Sequence, residues 1–333
     1  MMAESKKIGW VKISSRKYGG VVYEERAMEV LKDRFDLEYV KMNSGIFKRG
    51  YLRAPELVFN LLRLKGKKDL WVRDSNTVIT APFDGTKGKK IAVIHHIDYS
   101  ASRPLFRPID FIIEKLIYHG LRKMDAIVTV CEYWKEHFLK KGFPNVFVVY
   151  NGFDLNSFNI SDQEAEKFKE ENHLTGKPII YLGNCQKAKG VIESYQALKD
   201  LDVHLVTSGE PFIKTPARNL QLKEYRDYLK LLKSASVVLA MSKFKEGWCR
   251  TAHEALLLKT PVVGSGLGGL GELLEGGKQI ICPSFASLRE RVEYLLGRPE
   301  VRARMGEDGY NFAKTFTSEK FKEDWLSLIE KLI

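Results

Sequence analysis

Short apolar runs alternate along the chain with longer stretches in which apolar residues recur every three or four positions. Residues 8–13 read as a strand and 14–20 as a loop, after which Val22, Ala27, Met28, Leu31 and Phe35 repeat at helical spacing. Further strands are predicted at 37–40, 77–81, 91–95, 126–130 and 146–150, with helices at 109–121 and 133–139. Strands that are apolar throughout are buried on both faces, as in a parallel sheet covered by helices. This half of the pattern predicts one doubly wound α/β domain.

The alternation pauses at Asn151-Gly152, a turn signal, and residues 154–175 are polar and charged. It resumes with strands at 179–182, 203–206, 237–240, 262–264 and 279–282, separated by helices at 191–201, 222–232, 251–258 and 288–296. The prediction is therefore two doubly wound α/β domains, residues 1–155 and 156–315, with an amphipathic helix at 318–332, within the segment 316–333, strapping back onto the first. Open α/β sheets bind ligands at the carboxyl ends of their strands, and two such edges are expected to face one interdomain cleft.

Composition adds boundaries. With 333 residues, 44% hydrophobic and 29% charged, the chain can build a large core, and its length favours two domains. The opening Met1-Met2-Ala3-Glu4-Ser5-Lys6-Lys7 lacks the apolar stretch of a secretory signal, and no window approaches the ~18 apolar residues of a membrane span. Cys131, Cys185, Cys249 and Cys282 are widely spaced, which argues against a zinc site or disulfide framework and suits a reducing cytoplasm. The net charge of +12 attracts polyanions. From Asn43 to Arg73 eight basic residues stand against two acidic ones, interleaved with Phe47, Tyr51, Leu57, Phe59, Leu61 and Trp71. A solvated helix face, docking on an anionic membrane surface, and nucleic-acid binding all stay open there, the last least favoured.

The most informative stretch for chemistry is 241–272, MSKFKEGWCRTAHEALLLKTPVVGSGLGGLGE. It follows the strand at 237–240, so its loop lies at a carboxyl strand end and feeds a helix. The peptide N–H groups of Trp248, Cys249 and Arg250 then lead into a helix N-terminus, an orientation suited to a diphosphate. Glu246 lies on the loop and Glu254 one turn into the helix, and two carboxylates beside a phosphate site suit a polyhydroxylated ligand. The competing account of Glu254 is structural, because Thr251-x-x-Glu254 is also a capping-box pattern. Gly266-Leu267-Gly268-Gly269-Leu270-Gly271 fits G-x-G-x-x-G, but the next strand ends in Pro283-Ser284 with no carboxylate for a ribose, so dinucleotide binding is rejected.

The string E-G-W-C-R-T-A-H-E-A-L with P-V-V-G-S-G-L-G-G-L-G-E resembles the signature of retaining nucleotide-sugar glycosyltransferases of the GT-B fold, in the group 1 family, family 4. V-Y-N-G-F-D and Y-L-G-N-C-Q-K-A-K-G extend the likeness over most of the chain. The resemblance implies two Rossmann-like domains, an acceptor side first and a donor side second. It gives Glu246 contact with the transferred sugar and a catalytic role, and gives Glu254 the ribose hydroxyls. It places Lys189 on the diphosphate, while Asn184 stands where the family carries an arginine, a loss that Lys187 could offset. It assigns Gly19-Gly20 to a loop approaching the donor phosphate. A functional histidine is expected at the end of the strand at 91–95: His96 by spacing, with His95 the alternative. The implied reaction moves a sugar from a UDP- or GDP-linked donor to a hydroxyl acceptor, such as a lipid-linked glycan at a membrane face. It needs no metal and no cofactor beyond the nucleotide sugar. The alternative is a chain that has lost catalysis and docks on anionic membrane or nucleic acid.

Overall fold

The computed structural model describes residues 5–13, 19–42, 53–102 and 104–333. Most of the predicted loop at 14–20 and the part of the basic-apolar segment at 43–52 lie outside the described residues. The chain divides into two compact units, Met1–Gly152 with Ser318–Ile333, and Phe153–Thr317.

The first unit runs β1 (Lys7–Ile13), α1 (Gly19–Lys32), β2 (Asp36–Met42), α2 (Arg53–Leu62), β3 (Lys65–Asp74), β4 (Gly85–Val93), α3 (Arg107–Leu121), β5 (Ala126–Thr129), α4 (Glu132–Lys140) and β6 (Val146–Val148). Its strands form one parallel sheet in the order β2-β1-β3-β4-β5-β6. The second unit runs α5 (Asp162–Glu171), β7 (Ile179–Asn184), α6 (Val191–Leu198), β8 (His204–Ser208), β9 (Arg218–Leu220), α7 (Tyr225–Ser234), β10 (Val237–Ala240), α8 (Arg250–Leu257), β11 (Val262–Gly264), α9 (Gly269–Gly276), β12 (Ile280–Ile281), α10 (Leu288–Leu296) and α11 (Pro299–Ala313). Its parallel sheet is ordered β12-β11-β10-β7-β8-β9, which reverses between β7 and β10. The last helix, α12 (Ser318–Leu332), belongs to the first unit.

The apolar runs are strands because each is buried on both faces. In the first unit Ile8, Trp10, Val72, Ile91 and Val93 are fully or almost fully buried, and in the second Ile180, Leu182, Leu239 and Val263 are. Phe321, Trp325, Leu328 and Ile329, spaced along one face of α12, are buried, with Trp325 5.7 Å from Trp10 between ring centroids. Removing a tryptophan's ~200 Å² from water contributes about 5 kcal/mol, so this helix is held by its apolar face.

Three expectations change. The strand predicted at 77–81 is a single 3-10 turn, Val78–Thr80. Asp74 explains it: its Oδ1 accepts from the N–H groups of Asn76 and Thr77, at 3.0 and 2.7 Å, turning the chain out of the sheet at the end of β3. Strand β3 falls in the basic-apolar segment and was not predicted, because its first half is Lys-rich and exposed while Leu70, Trp71, Val72 and Arg73 are buried. The polar pause at 154–175 holds α5, whose Ser161 and Glu164 form a reciprocal capping box.

Candidate active site

In the second unit the sheet reverses between β7 and β10, and the loops leaving these two neighbouring strands carry the candidate residues. The loop after β7 contains the 3-10 turn Lys187–Lys189; the loop after β10 runs through Ser242 and Glu246 to α8. The backbone joins them: Lys243 N–H donates to Ala188 C=O at 2.9 Å. Gly190, at φ +68°, lies so close that a Cβ there would meet Met241 O at 2.3 Å. Only glycine combines that left-handed backbone with that approach.

Lys189 is thereby held with Nζ 2.7 Å from Glu246 Oε1, and Ser242 Oγ donates to the same oxygen. Burial opposes the ammonium charge, but the carboxylate of Glu246, through its charge and its hydrogen bond, outweighs it and holds the Lys189 pKa above its ordinary value. Glu246 is itself buried and strapped by its backbone, its N–H donating to Leu267 O at 3.2 Å and its carbonyl accepting from Gly269 N–H at 2.9 Å. Between these lies Gly268 at φ +70°, whose Cβ would stand 2.4 Å from Glu246 O. The glycine string therefore lets two backbones touch, which fixes the height of the carboxylate.

Helix α8 begins at Arg250 with Cys249 as its N-cap residue. The Thr251–Glu254 capping box does not form: Thr251 Oγ1 accepts from Tyr228 OH at 3.1 Å, and Glu254 turns sideways. Its Oε1 accepts from Tyr225 OH and from Arg250 Nη2, each at 2.9 Å. The Arg250 guanidinium also lies 4.9 Å from the Phe153 ring centroid. Glu254 is 3% exposed, so it is a buried carboxylate oriented by two donors. Burial, then Glu246, pushes the Cys249 thiol up to about 12, which removes it as a nucleophile near neutral pH. Trp248 Nε1 donates to His253 Nδ1 at 3.1 Å, leaving His253 Nε2 to donate to Ala313 O at 3.1 Å. Burial lowers His253 to about 3, so this pair is a neutral prop beneath the loop.

Asn184 ends β7, and its Oδ1 accepts from Tyr181 OH at 3.1 Å and Ser208 Oγ at 3.3 Å. It is a neutral, anchored amide; Lys187 nearby in sequence is exposed.

In the first unit His95 and His96 follow β4. His96 is exposed; His95 is largely buried, its Nε2 3.9 Å from Glu24 Oε1 and its ring 4.9 Å from that of Tyr23. Burial lowers His95 to about 3, while burial and Asp74 raise Glu24 to about 8. Gly19 and Gly20, predicted as loop, are the first residues of α1.

Two family models match the chain in succession: "Glycosyltransferase Family 4" over residues 11–157 and "Glycosyl transferases group 1" over residues 162–312. The chain belongs to the group 1 glycosyltransferases. Spore coat protein SA of Bacillus subtilis is 27% identical over 62% of this chain and 64% of its own length. An uncharacterised glycosyltransferase of Methanocaldococcus jannaschii is 25% identical over 59% and 56%, and the N-acetyl-alpha-D-glucosaminyl L-malate synthase of Bacillus anthracis 25% over 62% and 60%. The chain thus spans under two thirds of the length of these relatives. Among solved structures, HepE of Anabaena with UDP-glucose superposes with TM-score 0.77 at 15% identity, over 98% of this chain and all of that one. Sucrose-phosphate synthase of Thermosynechococcus elongatus gives 0.76 at 16%, over 98% and 99%. These likenesses establish the GT-B fold.

In this group 1 glycosyltransferase the structure brings Lys189 and Glu246 into contact, and holds Glu254, Arg250 and Tyr225 together on α7 and α8. Reasoning from sequence singled out neither Ser242 nor the side chains of Tyr225, Tyr181 and Ser208 in the second unit. In the first it missed Glu24 beside His95, and Lys12, whose Nζ lies 3.6 Å from Glu24 Oε2. Ser242 alone left a local signal, four residues before Glu246; the others are joined only by the fold.

Proposed function

We propose that the chain transfers a glycosyl unit from a nucleoside-diphosphate sugar to a hydroxyl acceptor with retention of anomeric configuration. The observation that carries this reading is the Lys189–Glu246 contact at 2.7 Å beside the switch point of the second sheet, with Glu254 fixed by two donors in the same unit. In the step, the bond from the anomeric carbon to the β-phosphate oxygen breaks and its electron pair leaves with the nucleoside diphosphate. The acceptor oxygen bonds to the anomeric carbon on the same face, and its proton passes to the departing phosphate oxygen.

Lys189 and the first peptide N–H groups of α8 stabilise the charge that develops on the leaving group, so no metal ion is required. Glu246 steers Lys189 and stabilises the positive charge of the sugar. Glu254 receives the ribose hydroxyls. Because that second carboxylate serves the ribose, the paired-carboxylate double displacement of retaining glycosidases has no second partner. One histidine after β4, His96 or in its place His95, hydrogen-bonds the transferred sugar or orients the acceptor, and Gly19-Gly20 approach the donor phosphate. Four buried free thiols suit a reducing cytoplasm, and the acceptor we propose is membrane-associated.

One observation favours a second reading. Asn184 is neutral and already bonded where the family carries an arginine, as in a binding protein that has lost turnover. Thermal unfolding with UDP, GDP, ADP and NAD decides: at ~100 times its dissociation constant, the right nucleotide adds about 2.7 kcal/mol of stability. A shift with UDP or GDP followed by sugar transfer supports the enzyme; a folded protein that responds to neither overturns it.

A further inference from the structure

Helix α3 has an apolar face turned to solvent. Leu105, just before it, and Ile109, Ile112 and Leu116 fall at i, i+4, i+7 and i+11, and are 81%, 53%, 58% and 41% exposed. Phe111 beside them is 60% exposed. The opposite face does the packing: Ile117, Gly120 and Leu121 are buried, and Gly120 is so close to the 3-10 turn Val78–Thr80 that a Cβ would meet Val78 O at 2.2 Å. An apolar stripe on the side away from the core contributes nothing to folding and marks a contact surface.

Its charges are segregated. Arg107 and Lys115 are exposed, with Lys115 Nζ 5.2 Å from the Phe111 ring centroid, whereas the two acids of the helix, Asp110 and Glu114, are half-buried. Helix α2, which packs against the same 3-10 turn, repeats the arrangement. Val58, Phe59 and Leu62 are exposed, Arg63 lies over Phe59, and Glu56 is half-buried. The surplus of charge is also local. The first unit has 31 Lys and Arg against 21 Asp and Glu, whereas the second has 23 against 21. The first unit thus carries +10 of the chain's +12.

We infer that the exposed faces of α3 and α2 seat the first unit on an anionic lipid bilayer. Large apolar side chains enter the acyl boundary while Arg107, Lys115 and Arg63 stay at the level of the phosphates. No helix among the described residues is long and apolar enough to cross a bilayer, so the helices lie in the interface. A basic rim and the unit's net positive charge favour acidic lipid over a second copy of the same unit, which would be repelled. The inference stands whether or not the nucleotide-sugar reading does, because it concerns a surface and not the site.

The test is vesicle co-sedimentation of the full chain with phosphatidylcholine alone and with added phosphatidylglycerol. Binding is expected only to the anionic vesicles, and to weaken as salt shortens the screening length. Each of Ile109→Ser, Ile112→Ser and Leu116→Ser should weaken binding roughly 10-fold, and Arg107→Glu or Lys115→Glu, each a change of two charge units, by roughly 30-fold. These side chains are exposed, so unchanged thermal unfolding checks that the variants fold. Tyr294→Ser, at a position as exposed as Leu116 but on α10 of the second unit, should bind as the parent does. Equal binding of parent and triple serine variant overturns the inference. So does self-association of the parent that the triple variant abolishes with no effect on vesicles. Loss of vesicle binding with an intact response to UDP or GDP separates this surface from the site.

Discussion

Glu254→Gln separates a carboxylate that holds a ligand from one that holds the fold. In the structure both donors, Tyr225 OH and Arg250 Nη2, bond to Oε1 at 2.9 Å, so the second oxygen is the one those bonds leave for ribose. The amide oxygen of Gln accepts the same two bonds, and the volume is unchanged. What is lost is charge. A hydrogen bond to a charged group contributes about 1.5–3 kcal/mol and a neutral one about 0.5–1.5. Two ribose hydroxyls on a carboxylate therefore lose about 2–3 kcal/mol when it becomes an amide, roughly a 30- to 160-fold rise in Kd for UDP or GDP. The unliganded protein also loses stability, because Arg250, 14% exposed, keeps its charge without a counter-ion. That structural cost would confuse a comparison of affinities alone. The 2′-deoxy nucleoside diphosphate removes the confusion. Calorimetric titration of the parent should show it binding about 30-fold more weakly than the ribonucleotide, and of the variant only about 5-fold more weakly, because the missing hydroxyl then takes away only a neutral bond. If both proteins discriminate by the same factor, Glu254 does not touch the ribose and the assignment fails.

Gly268→Ala places a Cβ 2.4 Å from Glu246 O at φ +70°. It should cost about 2 kcal/mol or more in thermal unfolding and more than 10-fold in turnover, and full turnover would show that the height of Glu246 is unimportant. Glu246→Gln should lower kcat while leaving the Kd for UDP or GDP within about 3-fold, since the carboxylate stabilises charge that appears only in the transition state. Tyr225→Phe removes one neutral donor from Glu254 and should weaken nucleotide binding about 5-fold. His95 and His253, both held near 3, should show no imidazole titration by NMR between pH 8 and 5. Below 6.5 the unfolded chain takes up protons that these two native residues refuse, so each costs up to about 1.4 kcal/mol of stability per pH unit as pH falls. Glu24, raised to about 8, acts with the opposite sign: its contribution is present below 4.5 and is lost as pH rises through 8.

The sequence by itself determined the architecture wherever a strand is buried on both faces. The strand at 237–240 and the helices at 288–296 and 318–332 have the predicted limits, because hydrophobic period is a local property of the chain. It failed where local and tertiary signals part. Half of β3 is Lys-rich yet pairs between β1 and β4, and residues 77–81 are apolar enough for a strand but are turned aside by Asp74. The spacing of Glu246 and Glu254 was legible because both stand on one loop-and-helix segment. Their partners from other segments were not. Lys189 lies 57 residues from Glu246, and Tyr225 29 from Glu254, and no short-range pattern encodes which side chains meet across a sheet. Nor could spacing choose between two accounts of Thr251-x-x-Glu254. The register of α8 against α7, which brings Tyr225 OH within hydrogen-bonding reach, decided that the carboxylate leaves the helix terminus for its neighbours.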